Sequence, residues 1–190
     1  VGDPSGPTGA MHDRSVRVFS IALDPWVLDE DLDRLRTLAA THDGASRQLA
    51  RFVHEVGRWH ELGVQAQLVF RRDRFLRGGD HTAFNAAGYP AVRFSEVEEN
   101  YDRQHQDVRT EDGTSFGDTV EFVDAEYLAG VARLNAATLA HLANAPSAPT
   151  NARIVADTLR HDTLLRWAPS PASDVAGYEV GWRPTTAAQW

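Results

Sequence analysis

Apolar residues along the chain follow two periods, and they alternate for most of its length. Val16, Val18, Phe19 and Ile21 cluster β-branched and aromatic side chains over 16–23, which predicts a strand. Asp29, Glu30 and Asp31 then precede Leu32, Leu35 and Leu38, with Gly44 beyond; an acidic first turn, an apolar stripe and a stop signal predict a helix. Ser46 is placed to cap a second helix with Leu49, Phe52, Val53, Val56 and Trp59 on one face, ended by Gly63. Gln65 to Arg71 predicts a strand, Phe84 to Ala87 a short helix stopped by Gly88, and Ala91 to Phe94 an inner strand of a mixed sheet. Residues 97–122 are polar and without a clear period, and a loop of that length is usually functional or mobile. Asp124 then caps a helix carrying Tyr127, Leu128, Val131, Leu134, Leu139 and Leu142. Strands alternating with helices predict an α/β layered domain over 1–143.

The pattern changes at Asn144. Ala145-Pro146-Ser147-Ala148-Pro149-Thr150 predicts an extended linker over 144–150, because each proline disfavours helix in the residue before it. Three strand-like runs follow, Ala152 to Ala156, Leu164 to Trp167 and Gly177 to Arg183, in the rhythm of a β-sandwich. A complete sandwich needs roughly 100 residues. The segment 151–190 is therefore expected to be an incomplete module.

Composition narrows the function classes. The net charge of −8 and the lack of a basic stripe argue against a nucleic-acid partner. No apolar run is long enough to span a bilayer, and Val1 to Ala10 is not a signal peptide. With no cysteine, disulfides and thiolate metal sites are excluded, which leaves the 8 histidines as the imidazole ligands available to a metal.

Three places can carry chemistry. His105 sits in the irregular stretch Tyr101-Asp102-Arg103-Gln104-His105-Gln106, where a neutral imidazole can ligate zinc or can be a solvated loop residue. Asp80-His81 follows Gly78-Gly79 after a strand, where a ligand can approach, and Asp80 is equally suited to cap the helix beginning near His81. Arg71, Arg72, Arg74 and Arg77 form a cationic cluster that can receive a substrate carboxylate, simply face solvent, or pair with some of the 27 acidic residues. The chain contains no phosphate loop, no nucleophile elbow and no His-Glu-x-x-His pair.

The run Phe75-Leu76-Arg77-Gly78-Gly79-Asp80-His81-Thr82-Ala83-Phe84-Asn85-Ala86-Ala87-Gly88-Tyr89-Pro90-Ala91-Val92 resembles metallopeptidase family 28, the di-zinc aminopeptidases and their relatives. Glu96, His105 and the helix opening Asp124-Ala125-Glu126-Tyr127-Leu128 follow in the family's order, and Val1-Gly2 with Asp13 to Ser20 looks like the stretch after its fourth metal ligand. Leu164-x-x-Trp167 and Gly177-Tyr178-x-Val180-x-Trp182 are similar to the first strands of fibronectin type III modules.

The resemblance implies the C-terminal portion of an open mixed-sheet zinc exopeptidase fold. It implies a peptide substrate, two zinc ions activating a shared water, and export to the periplasm or the exterior. Of the metal ligands only the late histidine maps here, onto His105, with Asp80 and His81 on the second-shell or substrate side. The general-base glutamate and the other ligands are expected upstream of Val1, and the 190-residue chain alone is expected to be inactive. The family often places a tyrosine before the Asp-His pair; Phe75 and Leu76 stand there instead, so no oxyanion role is assigned. The alternative is a peptidase-like binding protein that has lost its metals, with the second module serving adhesion or docking.

Overall fold

In the computed structural model, residues 2–23, 25, 27–38, 40–156 and 161–190 are described; Val1, part of the resemblance, lies outside them. Strand β1 (Ser15–Ser20) lies at the centre of a three-stranded sheet, parallel to β2 (Gln65–Val69) and antiparallel to β3 (Val92–Glu96). The sheet is mixed, as expected, but β3 stands at its edge rather than inside it. The expected inner position rested on an apolar run. Register shows the run is two-sided instead: Arg93 and Ser95 alternate with Val92 and Phe94.

Register also sorts the two faces. Val16 and Val18 of β1 stand beside Ala66, Leu68 and Phe94. Onto that face pack Ala50, Val53 and Val56 of α2 (Ala45–His60) and Tyr127, Val131 and Leu134 of α4 (Ala125–Ala143). Burying a side chain such as Leu134 contributes about 1.5–3 kcal/mol. The two helices come close enough that a Cβ on Gly57 would sit 3.3 Å from Leu134, and α4 meets the segment before β2 so closely that one on Gly130 would sit 2.6 Å from Val64. The opposite face carries Arg17 and Phe19 of β1 beside Ser95 and Arg93 of β3. Arg17 and Arg71 lie over the Phe19 ring, at 5.1 and 5.9 Å from its centroid.

Several local expectations shift. Helix α1 (Asp29–Thr37) forms where the acidic turn placed it but has no buried residue, and Leu38 remains exposed. Gly44 does not stop α1. It is the N-cap of α2, and Ser46 lies buried inside the first turn of α2. Its hydroxyl accepts hydrogen bonds from Asn85 Nδ2 (3.0 Å) and the Ala91 amide (3.1 Å), so it joins α2 to α3 (His81–Ala86) and the approach to β3. Asp124 does cap α4, accepting from the Glu126 and Tyr127 amides at 2.9 Å each. The stretch 97–122 is less irregular than its polarity suggested. It contains a hairpin, β4 (Arg109–Glu111) and β5 (Thr114–Phe116), turned by Asp112 and Gly113 at φ 49° and 80°.

The chain divides into two compact units, 2–138 with 183–190, and 139–182. In the second unit β6 (Thr150–Val155) and β7 (Leu164–Ala168) form an antiparallel pair, and Trp167 meets Tyr178 edge-on at 5.6 Å. The third run, Gly177 to Arg183, forms no strand: among the described residues no strand pairs with it, and an unpaired segment has no ladder to hold it extended.

Candidate functional site

The polar face of the sheet runs into a buried ionic network. Glu99, three residues past β3, has a side chain only 3% exposed. It accepts from Arg17 of β1 at 3.0 Å and from the Arg74 guanidinium. Asp73 accepts from the Arg74 amide (2.7 Å) and Nε (3.3 Å) and lies 3.5 Å from Arg93 Nε. Carboxylates at this depth are stable only because guanidinium groups meet them. The pairing fixes the start of the 97–122 stretch to β1 and to the loop after β2. Of the arginine cluster 71–77, Arg74 follows the acid-pairing reading: it is buried in this network with Asp73 and Glu99 rather than open to substrate.

Further along, the stretch is anchored twice more. The Gly117 amide donates to the Asp102 carbonyl at 2.9 Å, closing the base of the β4–β5 lobe. Gly117 has φ 117° and would place a Cβ 2.8 Å from Val108, so glycine is required there. Arg103 donates to Asp3 Oδ2 (2.7 Å) and Ser5 Oγ (3.0 Å) and lies 4.0 Å over the Phe122 ring. Glu96 accepts from the Gly2 amide at 3.1 Å.

Between these anchors His105 projects in the left-handed region, φ 57°, a conformation unfavourable for a residue with a Cβ. Its ring is exposed and lines a polar cavity of about 330 Å³ together with Glu96, Glu99, Arg93 and Asp118. An exposed imidazole at a cavity that also carries carboxylates is of the residue type that ligates zinc. Among the described residues, however, no three His, Asp or Glu side chains converge closely enough to hold a metal ion. The residues present therefore fit one ligand position and not a complete centre.

Asp80 and His81 do not line this cavity. Asp80 occupies the N-cap of α3 in a helical conformation, φ −59°, ψ −32°, and its side chain makes no capping bond. The capping expectation fails because that backbone geometry keeps the carboxylate from its own helix amides. Thr82 does not supply the cap either: its amide and its hydroxyl both donate to the Gly79 carbonyl, at 3.0 and 2.7 Å. His81 is buried, with Nε2 donating to the Arg72 carbonyl at 2.8 Å and lying 3.8 Å from Asp73 Oδ2. That fixes the tautomer and leaves Nδ1 as a buried acceptor without a partner among the described residues. His81 thus reaches the cavity only indirectly, through Asp73 and Arg93.

No protein-family model and no solved structure matches the chain. Curated relatives do match over all of it. A protein of Leptosphaeria maculans named a probable zinc metalloprotease is 44% identical over 190 residues, and the match covers 44% of that protein. Probable zinc metalloproteases of Pyrenophora tritici-repentis and Pyricularia oryzae are 42% and 44% identical, with 40% and 39% of their lengths covered. The chain spans less than half the length of these relatives. No helix among the described residues is long and apolar enough to cross a membrane.

Proposed function

We propose that this chain is part of a zinc-dependent peptidase in which His105 supplies one metal ligand. The observation that carries the reading is an exposed, conformationally strained imidazole held at a carboxylate-bearing cavity by three separate anchors. Relatives similar over the whole chain and named zinc metalloproteases support it. When bound, zinc polarises a scissile carbonyl and lowers the pKa of a coordinated water. The contribution of this chain is positional. Glu99, Arg17 and Arg74 hold the loop, Arg103 holds its middle, and His105 is presented with its ring open.

The finer reading follows the resemblance to metallopeptidase family 28: an exported exopeptidase of the aminopeptidase type acting on peptides through two metal ions, with residues 151–190 related to the first strands of a fibronectin type III module. Among the described residues, His105 is the one imidazole lining this cavity.

The test is His105→Ala in a chain of the relatives' full length. We expect lower zinc content by atomic emission, loss of amino-acid release from peptide amides, and an unchanged far-ultraviolet circular dichroism spectrum. Full zinc occupancy and activity in that variant would refute the assignment. Zinc-dependent release by the 190-residue chain alone would refute the claim that its ligand set is incomplete.

A further inference from the structure

A second charged cluster lies outside the cavity of His105 and has a different balance of charge. Arg51 of α2 has a side chain 1% exposed, Arg47 is 4% exposed and Arg183 has a side chain 5% exposed. The carboxylate they meet is that of Asp43. Arg51 Nη1 reaches Asp43 Oδ1 at 3.1 Å, and Arg183 Nη2 bonds the same oxygen. Arg47 faces the His42 Nδ1 and donates to the Phe70 carbonyl at 3.0 Å. The Phe70 ring lies beneath both guanidinium groups of α2, 4.9 Å from that of Arg47 and 5.1 Å from that of Arg51.

Carbonyl oxygens of His42, Ala188, Pro184 and Ala187 take up further donors. They orient the guanidinium groups but carry no net charge. Three buried cations against one carboxylate leave an excess of two positive charges, and burying charge without a counter-ion is costly. The cations also disfavour one another: burial first, then a neighbouring arginine, lowers the pKa of both Arg47 and Arg51. Arg47 Nε and Arg183 Nε are buried without a hydrogen-bond partner among the described residues. Beside the cluster is a cavity of about 300 Å³ lined by Arg51, His42, Phe70, Thr185 and Thr186.

We propose that Arg47, Arg51 and Arg183 around Asp43 form a binding site for a small doubly charged oxyanion, inorganic phosphate or sulfate. A dianion matches the charge excess, and its oxygens would replace Asp43 and neighbouring carbonyls as acceptors from these guanidinium groups. The Asp43 carboxylate competes for the same donors, which sets the sign of the test.

The 190-residue chain is titrated with sodium phosphate, sodium sulfate or sodium acetate by calorimetry, with sodium chloride at equal ionic strength as the reference. Saturable 1:1 binding of phosphate and sulfate is expected, with acetate at least tenfold weaker. Asp43→Asn removes the competing charge and should tighten phosphate binding at least tenfold. A merely structural cluster would give no such gain. Arg47→Gln, whose guanidinium makes no bond to residues 183–190, should weaken binding at least fivefold. Absence of saturable phosphate binding overturns the proposal, as does acetate binding equally well, or either variant moving affinity the other way.

Discussion

Removing the Glu99 carboxylate is the sharpest test of how the His105 loop is held. Glu99→Ala leaves Arg74, whose side chain is 8% exposed, without its principal counter-charge. Truncating one partner of a buried pair costs about 3–5 kcal/mol, because the remaining charge stays desolvated. Asp73 still accepts from Arg74 Nε at 3.3 Å, which moves the expectation to the lower end. Arg17 is 23% exposed, so solvent screens its share and adds less than about 1 kcal/mol. The expected loss is about 3 kcal/mol. With a urea slope of about 2 kcal/mol/M, the midpoint should fall by roughly 1.5 M. Ellipticity at 222 nm follows the unfolding of α2 and α4. A shift below about 0.5 M at unchanged slope would show that Glu99 is not the electrostatic anchor described here. Arg74→Met combined with Glu99→Leu should recover only part of the loss: the apolar pair removes two desolvation penalties, but the buried Asp73 loses the Arg74 guanidinium and keeps only Arg93 at 3.5 Å as its charged arginine partner.

Other outcomes follow from the packing and titration of the same unit. Gly130→Ala would place a Cβ 2.6 Å from Val64 Cγ2, and overpacking of that kind should cost about 1–3 kcal/mol in urea unfolding. Tyr127 donates to the Ser15 carbonyl at 3.0 Å, so Tyr127→Phe should cost about 1 kcal/mol at neutral pH. Burial first, and then the Glu96 carboxylate, raises the Tyr127 phenol above its ordinary value of 10.0. The stability this gives is complete below pH 10 and is lost as pH climbs toward the folded pKa. The urea midpoint should therefore fall with pH above 10 in the parent chain and fall less steeply in Tyr127→Phe; identical slopes would count against the buried phenol. Gly117→Ala combines a positive φ with a 2.8 Å approach to Val108. It should loosen the β4–β5 lobe, seen as faster amide exchange at the Asp102–Gly117 closure while α2 and α4 keep their protection.

Much of this was legible from short-range pattern. The apolar spacing of α2 and α4, the Asp124 cap and the strands β1 to β3 are local consequences of propensity and period, and they form within a few residues of the predicted positions. The β4–β5 hairpin escaped the reading of 97–122 as irregular: Asp112-Gly113 is a two-residue turn signal, but the polar flanks hid it because the strands are short, mostly exposed and carry no apolar alternation. Gly44 and Ser46 show where local rules mislead. Either residue can end or cap a helix, and which role it takes depends on a contact distant in sequence, here Asn85 and Ala91 meeting the Ser46 hydroxyl.

By itself the sequence determined the alternation of strands and helices, the positions that could be apolar core, and an imidazole at residue 105 in a segment without period. It could not determine which charges would be buried. Arginines 47, 51 and 74 occur in stretches whose charge suggests a solvated surface, yet the fold encloses all three. Whether a charge can leave water depends on the counter-charge that reaches it. Glu99 meets Arg74 from 25 residues away and Arg183 meets Asp43 from 140. Such pairings exist only once the chain has folded back on itself, so the tertiary structure alone decided which polar residues build sites and which face solvent.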